Sequence, residues 1–389
     1  MNYFPVLSSK PICTGCHACY SVCPSSCITM REDDEGFLYP VVNGENCISC
    51  GLCEKICPAL NHGDSRQPLQ VYAAKNQDGQ IQLNSSSGGI FTLLAEQIIN
   101  EGGVIFGARF NDNWEVIHDY TETVEGLSVF RSSKYVQSII GETYRQAKAF
   151  LLAGRQVLFS GTPCQIAGLK TYLQRDYENL LSVDLVCHGV PSPAVWREYL
   201  RELAGVLDFS KINSINFRDK THGWKLFSFS ICYTENINSS GVFLESLQEN
   251  VFMRGFLRNL YLRPSCYQCP VKFLSSGSDI TLGDYWGIQN TLPEFDDDKG
   301  VSLVMINTLK GKVVYGALNK HEKETSYNNA LRGNSTIEES VPVPIKRTDF
   351  FENRNNEPIT DLIVKLTKIS VLRRIWNKAR IIFWEKIHR

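Results

Sequence analysis

Cys13, Cys16, Cys19 and Cys23 are spaced C-x2-C-x2-C-x3-C and followed by Pro24, and Cys47, Cys50, Cys53 and Cys57 repeat that spacing ahead of Pro58. In chains with this doubled run, three closely spaced thiolates hold one [4Fe–4S] cube and the fourth ligates the other. The physical reason is reach. A short loop wraps three soft thiolates around one cube, and the fourth corner is met more easily from the partner loop. The spacing therefore assigns Cys13, Cys16, Cys19 and Cys57 to one cluster and Cys47, Cys50, Cys53 and Cys23 to a second. Structural zinc is the competing chemistry, but zinc knuckles pair their ligands across longer gaps. With eight thiolates completing both cubes, His17 and His62 read as solvated loop histidines rather than ligands.

The chain has fourteen cysteines. The others are Cys27, Cys164, Cys187, Cys232, Cys266 and Cys269. Cys164 lies in Gly161-Thr162-Pro163-Cys164-Gln165, between an expected strand and an expected helix. Cys187 opens Cys187-His188-Gly189 at the end of another expected strand. Ligands of open α/β sheets gather at the carboxyl ends of strands. Together with the Cys266–Cys269 pair, these residues make a four-thiolate set for a third [4Fe–4S] cluster. Spacing leaves three alternatives open: inert burial, zinc on the same four residues, and a nucleophilic Cys164–His188 pair. Cys27 and Cys232 have no partner pattern, and Cys232 reads as a small buried hydrophobe in an apolar strand.

These groups must be positioned by an α+β chain of 389 residues, long enough for two or three domains. Residues 1–62 are the two-cluster module, with Ile28–Met30 and Phe37–Val41 forming a short hairpin around the acidic turn Glu32–Gly36. A polar linker, Asn61–Pro68, follows. Strands are then expected at Val71–Lys75, Gly103–Phe110, Gln156–Ser160 and Leu181–Val186. Helices are expected at Gly88–Asn100, Glu142–Leu152, Cys164–Leu173 and Pro193–Leu203. That alternation marks residues 70–208 as an α/β domain with crossover helices. Residues 209–345 read as more β-rich, with strands at Ile212–Phe217, Leu226–Tyr233, Ile280–Trp286 and Ser302–Asn307. Residues 346–389 form a tail. Within it Val371, Leu372, Ile375, Trp376, Ala379, Ile382 and Phe383 recur at helical spacing opposite Arg373, Arg374, Lys378, Arg380, Lys386 and Arg389. Such a basic amphipathic helix either lies on an anionic membrane surface or docks on protein.

The chain is 43% hydrophobic and 21% charged, ordinary for a soluble globular protein. A formal net charge of -1 argues against nucleic acid as a partner. No apolar run reaches the roughly 18 residues that span a bilayer. Met1–Lys10 lacks the basic start and apolar stretch of a secretory signal. The reducing cytoplasm is the expected location, with peripheral contact at the inner face of the membrane through the tail.

Asn84-Ser85-Ser86-Ser87-Gly88-Gly89 feeds the helix that begins at Ile90. Free N–H groups and the positive dipole end at such a terminus suit a phosphate or pyrophosphate, and ordinary serine capping is the plainer reading. No G-x-G-x-x-G after a strand and no Walker A loop is present. Five segments then carry a resemblance. SSSGGIFTLLAEQII, RSSKYVQS, FSGTPCQIAGLK, VDLVCHGVPSP and CYQCPVKF-x6-ITLGDYWGI occur in that order over roughly residues 70–310. Together they resemble the family of coenzyme F420 hydrogenase/dehydrogenase beta subunits, to which a ferredoxin module is a common N-terminal addition. The resemblance implies a bound FAD and an adjacent [4Fe–4S] cluster on Cys164, Cys187, Cys266 and Cys269. It also implies that Ser86, Ser87, Gly88, Gly89, Lys134, Tyr135, Gln137, Thr162, Pro163 and Gln165 line the flavin, with Asp284–Trp286 near the cluster or the flavin. It does not fix the substrate.

Clusters pass single electrons, most organic substrates take two, and a flavin bridges the two regimes. The expected function is therefore an iron–sulfur flavoprotein oxidoreductase. Electrons would pass from a reduced ferredoxin or another redox protein through the [4Fe–4S] clusters to FAD and a small-molecule substrate. Lys134 and His188 are the expected acid–base groups. The alternative is a non-catalytic electron-transfer subunit that wires a hydrogenase or dehydrogenase complex.

Overall fold

A computed structural model describes residues 5, 7–205, 207–236 and 239–368. The amphipathic helix expected over residues 371–389 lies outside them.

In the N-terminal module the doubled cysteine spacing folds into doubled turns. Gly15 and Ser49, one residue before Cys16 and Cys50, have φ of 66° and 56°, and His17 and Gly51, one residue after them, have φ of 62° and 69°. Two left-handed residues flanking a cysteine curl the loop so that its neighbours at i±3 face one centre. Each loop then enters a short helix, α1 (Ala18–Val22) and α2 (Leu52–Lys55). Between them β1 (Ile28–Glu32) and β2 (Leu38–Val42) pair antiparallel as the expected hairpin.

The rest of the chain runs β3 (Gln70–Asn76), α3 (Gly79–Asn84), α4 (Ile90–Asn100), β4 (Val104–Phe110), β5 (Val116–Thr121), α5 (Thr143–Leu152), β6 (Val157–Gly161), α6 (Pro163–Leu173), β7 (Leu180–Leu185) and α7 (Pro193–Leu203). It continues through β8 (Ile212–Asp219), β9 (Ser228–Asn236), β10 (Ser239–Ser246), α8 (Val251–Phe256), β11 (Ile280–Asp284), β12 (Ser302–Ile306) and β13 (Lys320–Thr325). Among the described residues, one eight-stranded sheet has the order β13-β3-β12-β11-β7-β6-β4-β5. Its central strands β4, β6, β7 and β11 are parallel. β5, β12, β3 and β13 join antiparallel. The near-continuous apolar runs of β6 and β7 are what a parallel strand covered on both faces requires.

The boundary expected near residue 208 does not divide this sheet. β11 pairs with β7 and β12 with β3, so strands from both sides of that position share one core. Composition shifts at residue 208 because β8, β9 and β10 form a separate three-stranded antiparallel sheet, inserted before the chain returns to the large one. Trp196, Phe217, Phe229 and Phe252 pack that insertion against α7 and α8. α3, α8, β5, β10 and β13 were among the elements not expected. β5 (VIHDYT) and β10 (SSGVFLES) carry too few apolar side chains to announce a strand, and pairing with β4 and β9 makes them strands.

Candidate metal centre

Eight of the fourteen cysteines line two cavities that meet. The first is lined by Cys13, Cys16, Cys19 and Cys57, with Thr14, Gly15, His17, Met30 and Pro40. This is the crossed set: three thiols from the first loop and the fourth from the end of the second. Cys47, Cys53 and Cys23 pack around Cys27 and Ile28 in a small apolar cluster of their own. Cys50 is exposed.

The second cavity is lined by Cys164, Cys187, Cys266 and Cys269. Cys164 stands at the start of α6, just past the carboxyl end of β6, and Cys187 just past the carboxyl end of β7. The two strands are parallel neighbours, so their ends open on the same side. Cys266 and Cys269 come from the turn that includes Pro264–Gln268. The Val190 N–H donates to Cys266 Sγ at 3.4 Å, and Thr162 Oγ1 lies 3.2 Å from Cys164 Sγ. Gly189 has φ of 146°, and a Cβ there would lie 3.2 Å from that of Cys266, so glycine is required for this approach.

Burial pushes the Cys164 thiol up to about 11 and that of Cys266 to about 12, and raises Cys187 further still. In the first cavity burial pushes Cys16 up to about 12 and raises Cys19 well above its usual value. Thiolates at such depth need the positive charge of bound metal to stay ionised. Among the described residues no three His, Cys, Asp or Glu side chains sit close enough to share one metal ion. A zinc ion draws its sulfurs to ~2.3 Å, whereas a cube takes each thiolate at a different corner. Four soft donors line each cavity, which is the donor set a [4Fe–4S] cube takes.

The two cavities share a wall. Thr14 lines both. A Cβ on Gly168, in α6, would lie 2.9 Å from Cys16 Sγ. Arg263 lines the second cavity, and its Nη2 lies 3.7 Å from Cys13 Sγ.

A buried network holds the Cys164 loop. Gln165 Oε1 accepts from Thr162 N at 2.9 Å, and Gln165 Nε2 donates to Ser138 Oγ at 2.9 Å. Ser138 Oγ donates to His118 Nδ1 at 2.9 Å, and His118 Nε2 donates to the Ser160 carbonyl at 3.0 Å. The carbonyl can only accept, which fixes His118 as the neutral Nε2–H tautomer.

The residues expected around a flavin do not converge on one place. Ser86 Oγ accepts from Ser133 N at 2.6 Å, and Arg218 donates to Ser86 O at 3.3 Å, Tyr135 Oη at 3.1 Å and Asp284 Oδ2 at 2.8 Å. Ser86, Tyr135 and Asp284 thus converge on a buried arginine. Gln137 lies elsewhere: its Nε2 donates to Thr14 O at 3.0 Å and its Oε1 accepts from Arg263 at 2.9 Å, tying the N-terminal module to the body. Thr162, Pro163 and Gln165 belong to the Cys164 loop. Gly88 is pinned between strands. A Cβ there would lie 2.3 Å from Ala74 O and 2.7 Å from Ser302 N, and its own N–H already donates to Ser302 Oγ. Its need to be glycine comes from strand packing. Ser87 Oγ donates to Val301 O at 2.7 Å.

Lys134 turns back on its own loop. Its ammonium donates to the carbonyls of Val129, Arg131 and Ser132, and burial lowers its pKa to about 7. His188 lines the Cys164 cavity and pairs with Asn259 Oδ1 at 2.6 Å. It packs edge-on against Phe256, on which Tyr135 also stacks. His17, expected in solvent, is 4% exposed and lines the first cavity. Its left-handed turn folds the ring under the loop. Sequence reasoning missed three residues. Cys27 Sγ lies 3.4 Å from Cys23 Sγ, and Arg218 and Arg263 are both buried. Cys27 follows Cys23 by four residues, the one local signal among the three; both arginines are defined by contacts far along the chain.

Residues 154–328 match the family described as coenzyme F420 hydrogenase/dehydrogenase, C terminus of the beta subunit, and residues 12–61 match the 4Fe-4S dicluster domain. The F subunit of the F(420)H(2) dehydrogenase of Methanosarcina mazei is 25% identical over 189 residues, 45% of this chain and 53% of the relative. A 7Fe ferredoxin of Hydrogenibacillus schlegelii is 37% identical over 76 residues, 19% of this chain and 91% of the relative. A chain of the F420-reducing [NiFe] hydrogenase complex of Methanosarcina barkeri superposes with a TM-score of 0.48 at 16% identity, covering 75% of this chain and 94% of that one. The chain spans about half the length of two of the curated relatives it matches.

Proposed function

Because the chain belongs to the family of coenzyme F420 hydrogenase/dehydrogenase beta subunits through residues 154–328 and carries a 4Fe-4S dicluster domain over residues 12–61, we propose that it is the iron–sulfur electron-transfer subunit of a complex of that type. The observation that carries this reading is the pair of adjoining cysteine-lined cavities with Thr14 in the wall of each. A relay needs its one-electron centres side by side, and an isolated storage or structural site does not. On this reading the cube on Cys47, Cys50, Cys53 and Cys23 meets an outside redox partner, a ferredoxin or another subunit. The cube on Cys13, Cys16, Cys19 and Cys57 stands between it and a third cube on Cys164, Cys187, Cys266 and Cys269. The relatives' names point to a reduced deazaflavin or a hydrogenase as the other end of the relay.

FAD belongs to this reading on the resemblance. It would supply the change between one- and two-electron chemistry when bound. The expected pyrophosphate loop fits it only in part, since the Gly88 N–H and the hydroxyls of Ser86 and Ser87 are already paired inside the protein. The reading therefore assigns no step to flavin. Lys134 serves its own loop, and His188, on the lip of the Cys164 cavity, is the remaining acid–base group.

Anaerobic purification with iron, sulfide and flavin quantified per chain tests the proposal. About twelve irons are expected, four for each cube. One-electron donors should reduce the clusters, and the isolated chain should not turn over a deazaflavin coenzyme. Zinc in place of iron would refute the relay. Turnover by the isolated chain would make it a catalytic flavoprotein instead.

A further inference from the structure

Among the described residues, Arg263 is a cation with no carboxylate partner. It is 0% exposed. Its Nε donates to the Cys13 carbonyl at 2.7 Å, its Nη1 to Gln137 Oε1 at 2.9 Å, and its Nη2 to the Leu38 carbonyl at 3.0 Å. Nη2 also lies 3.7 Å from Cys13 Sγ. The guanidinium faces the Tyr39 ring at 4.2 Å and the Phe37 ring at 5.4 Å. None of these partners is a carboxylate. An unpaired charge in such a place is strongly unfavourable, so buried charges are found paired or at metal sites. Arg218, the other deeply buried arginine described above, follows that rule with Asp284. Arg263 does not, and it is also a wall residue of the Cys164 cavity.

We infer that Arg263 is the shared counter-ion of two clusters, the one on Cys13, Cys16, Cys19 and Cys57 and the one on Cys164, Cys187, Cys266 and Cys269. The inference rests on the relay reading above. Four thiolates outweigh the charge of a cube core, so each loaded site is a net anion. A cation fixed between two such anions lowers the energy of both, and lowers it more when either gains an electron. Arg263 therefore holds both reduction potentials above the values the same thiolates would give beside a neutral residue. The hydrogen bonds to Gln137, Cys13 and Leu38 keep the guanidinium from turning to solvent, which makes this a built site. It also explains Gly15: a Cβ there would lie 2.7 Å from Arg263 Nη1.

The test uses the full chain, loaded anaerobically, as wild type, Arg263→Gln and Arg263→Lys. Iron per chain is measured first, then a reductive titration followed by electron paramagnetic resonance. In Arg263→Gln, two of the three cluster transitions should move to more negative potential while the third stays. Arg263→Lys, which keeps the charge, should move the same two transitions less. Full iron with all three transitions unmoved in Arg263→Gln would overturn the inference. If the glutamine variant loses iron, the lysine variant decides. Retained iron supports a charge requirement, and loss from both overturns it in favour of the shape of the fork. A wild-type chain holding well under about twelve irons marks failure of the relay reading itself, before any variant is compared.

Discussion

Acid should loosen the loop that carries Cys164, and His118 is the reason. The ring is 5% exposed, and burial lowers its pKa from 6.5 to about 4. As a neutral tautomer it is satisfied at both nitrogens. Protonated, its Nδ1 would point a second donor at Ser138 Oγ, which already accepts from Gln165. The serine proton would then have no acceptor, and Gln165 holds Thr162 beside Cys164. The sign follows from which state takes the proton. Between about pH 6.5 and 4 the unfolded chain binds it and the folded chain does not, so this stability is intact above that window and is lost as pH falls through it. The full shift corresponds to about 3 kcal/mol. Between about pH 7 and pH 5.5, where only the unfolded state titrates appreciably, the loss is about 1.2 kcal/mol. Urea unfolding at those two pH values should show this loss in the wild type and not in His118→Gln, whose amide can donate to Ser160 and accept from Ser138. Buried His17, also lowered to about 4, acts with the same sign in both proteins and cancels in the comparison. Equal losses in the two proteins, or a His118 resonance titrating near 6.5, would refute the argument.

Two other perturbations read the geometry directly. Cys13→Ala and Cys57→Ala should each remove about four irons and abolish the same paramagnetic signal, while Cys23→Ala should abolish a different one. If Cys57→Ala instead matches Cys53→Ala, ligation is not crossed. Gly88→Ala should destabilise the fold by about 1–3 kcal/mol or more, because the new methyl meets the backbone of β3 and β12. Gly316→Ala, whose Cβ would meet nothing within 4 Å, should be neutral or stabilise by up to about 1 kcal/mol, and thermal melts of the two separate the cases.

Spacing alone determined the local parts of this protein. Cysteines at i, i+3 and i+6 can face one centre only if the chain curls between them, and the left-handed residues around Cys16 and Cys50 do this twice. The apolar runs of β6 and β7 and the helix expected over Cys164–Leu173 were equally legible, because burial on both faces and helical periodicity act within a few residues. Tertiary structure decided everything that joins distant segments. Cys164 and Cys187 share a cavity because β6 and β7 are parallel neighbours, and Cys266 and Cys269 reach it from beyond the inserted sheet. The position near residue 208 where composition shifts is not a boundary of the main core, since β11 and β12 return to it. Gly88 reads as part of a phosphate loop in sequence, and its close approach to β3 and β12 exists only in the fold. Arg263 carries no signal at all along the chain. It becomes a buried cation between two cysteine-lined cavities only when the N-terminal module docks, because burial is a property of the assembled surface and not of the residue.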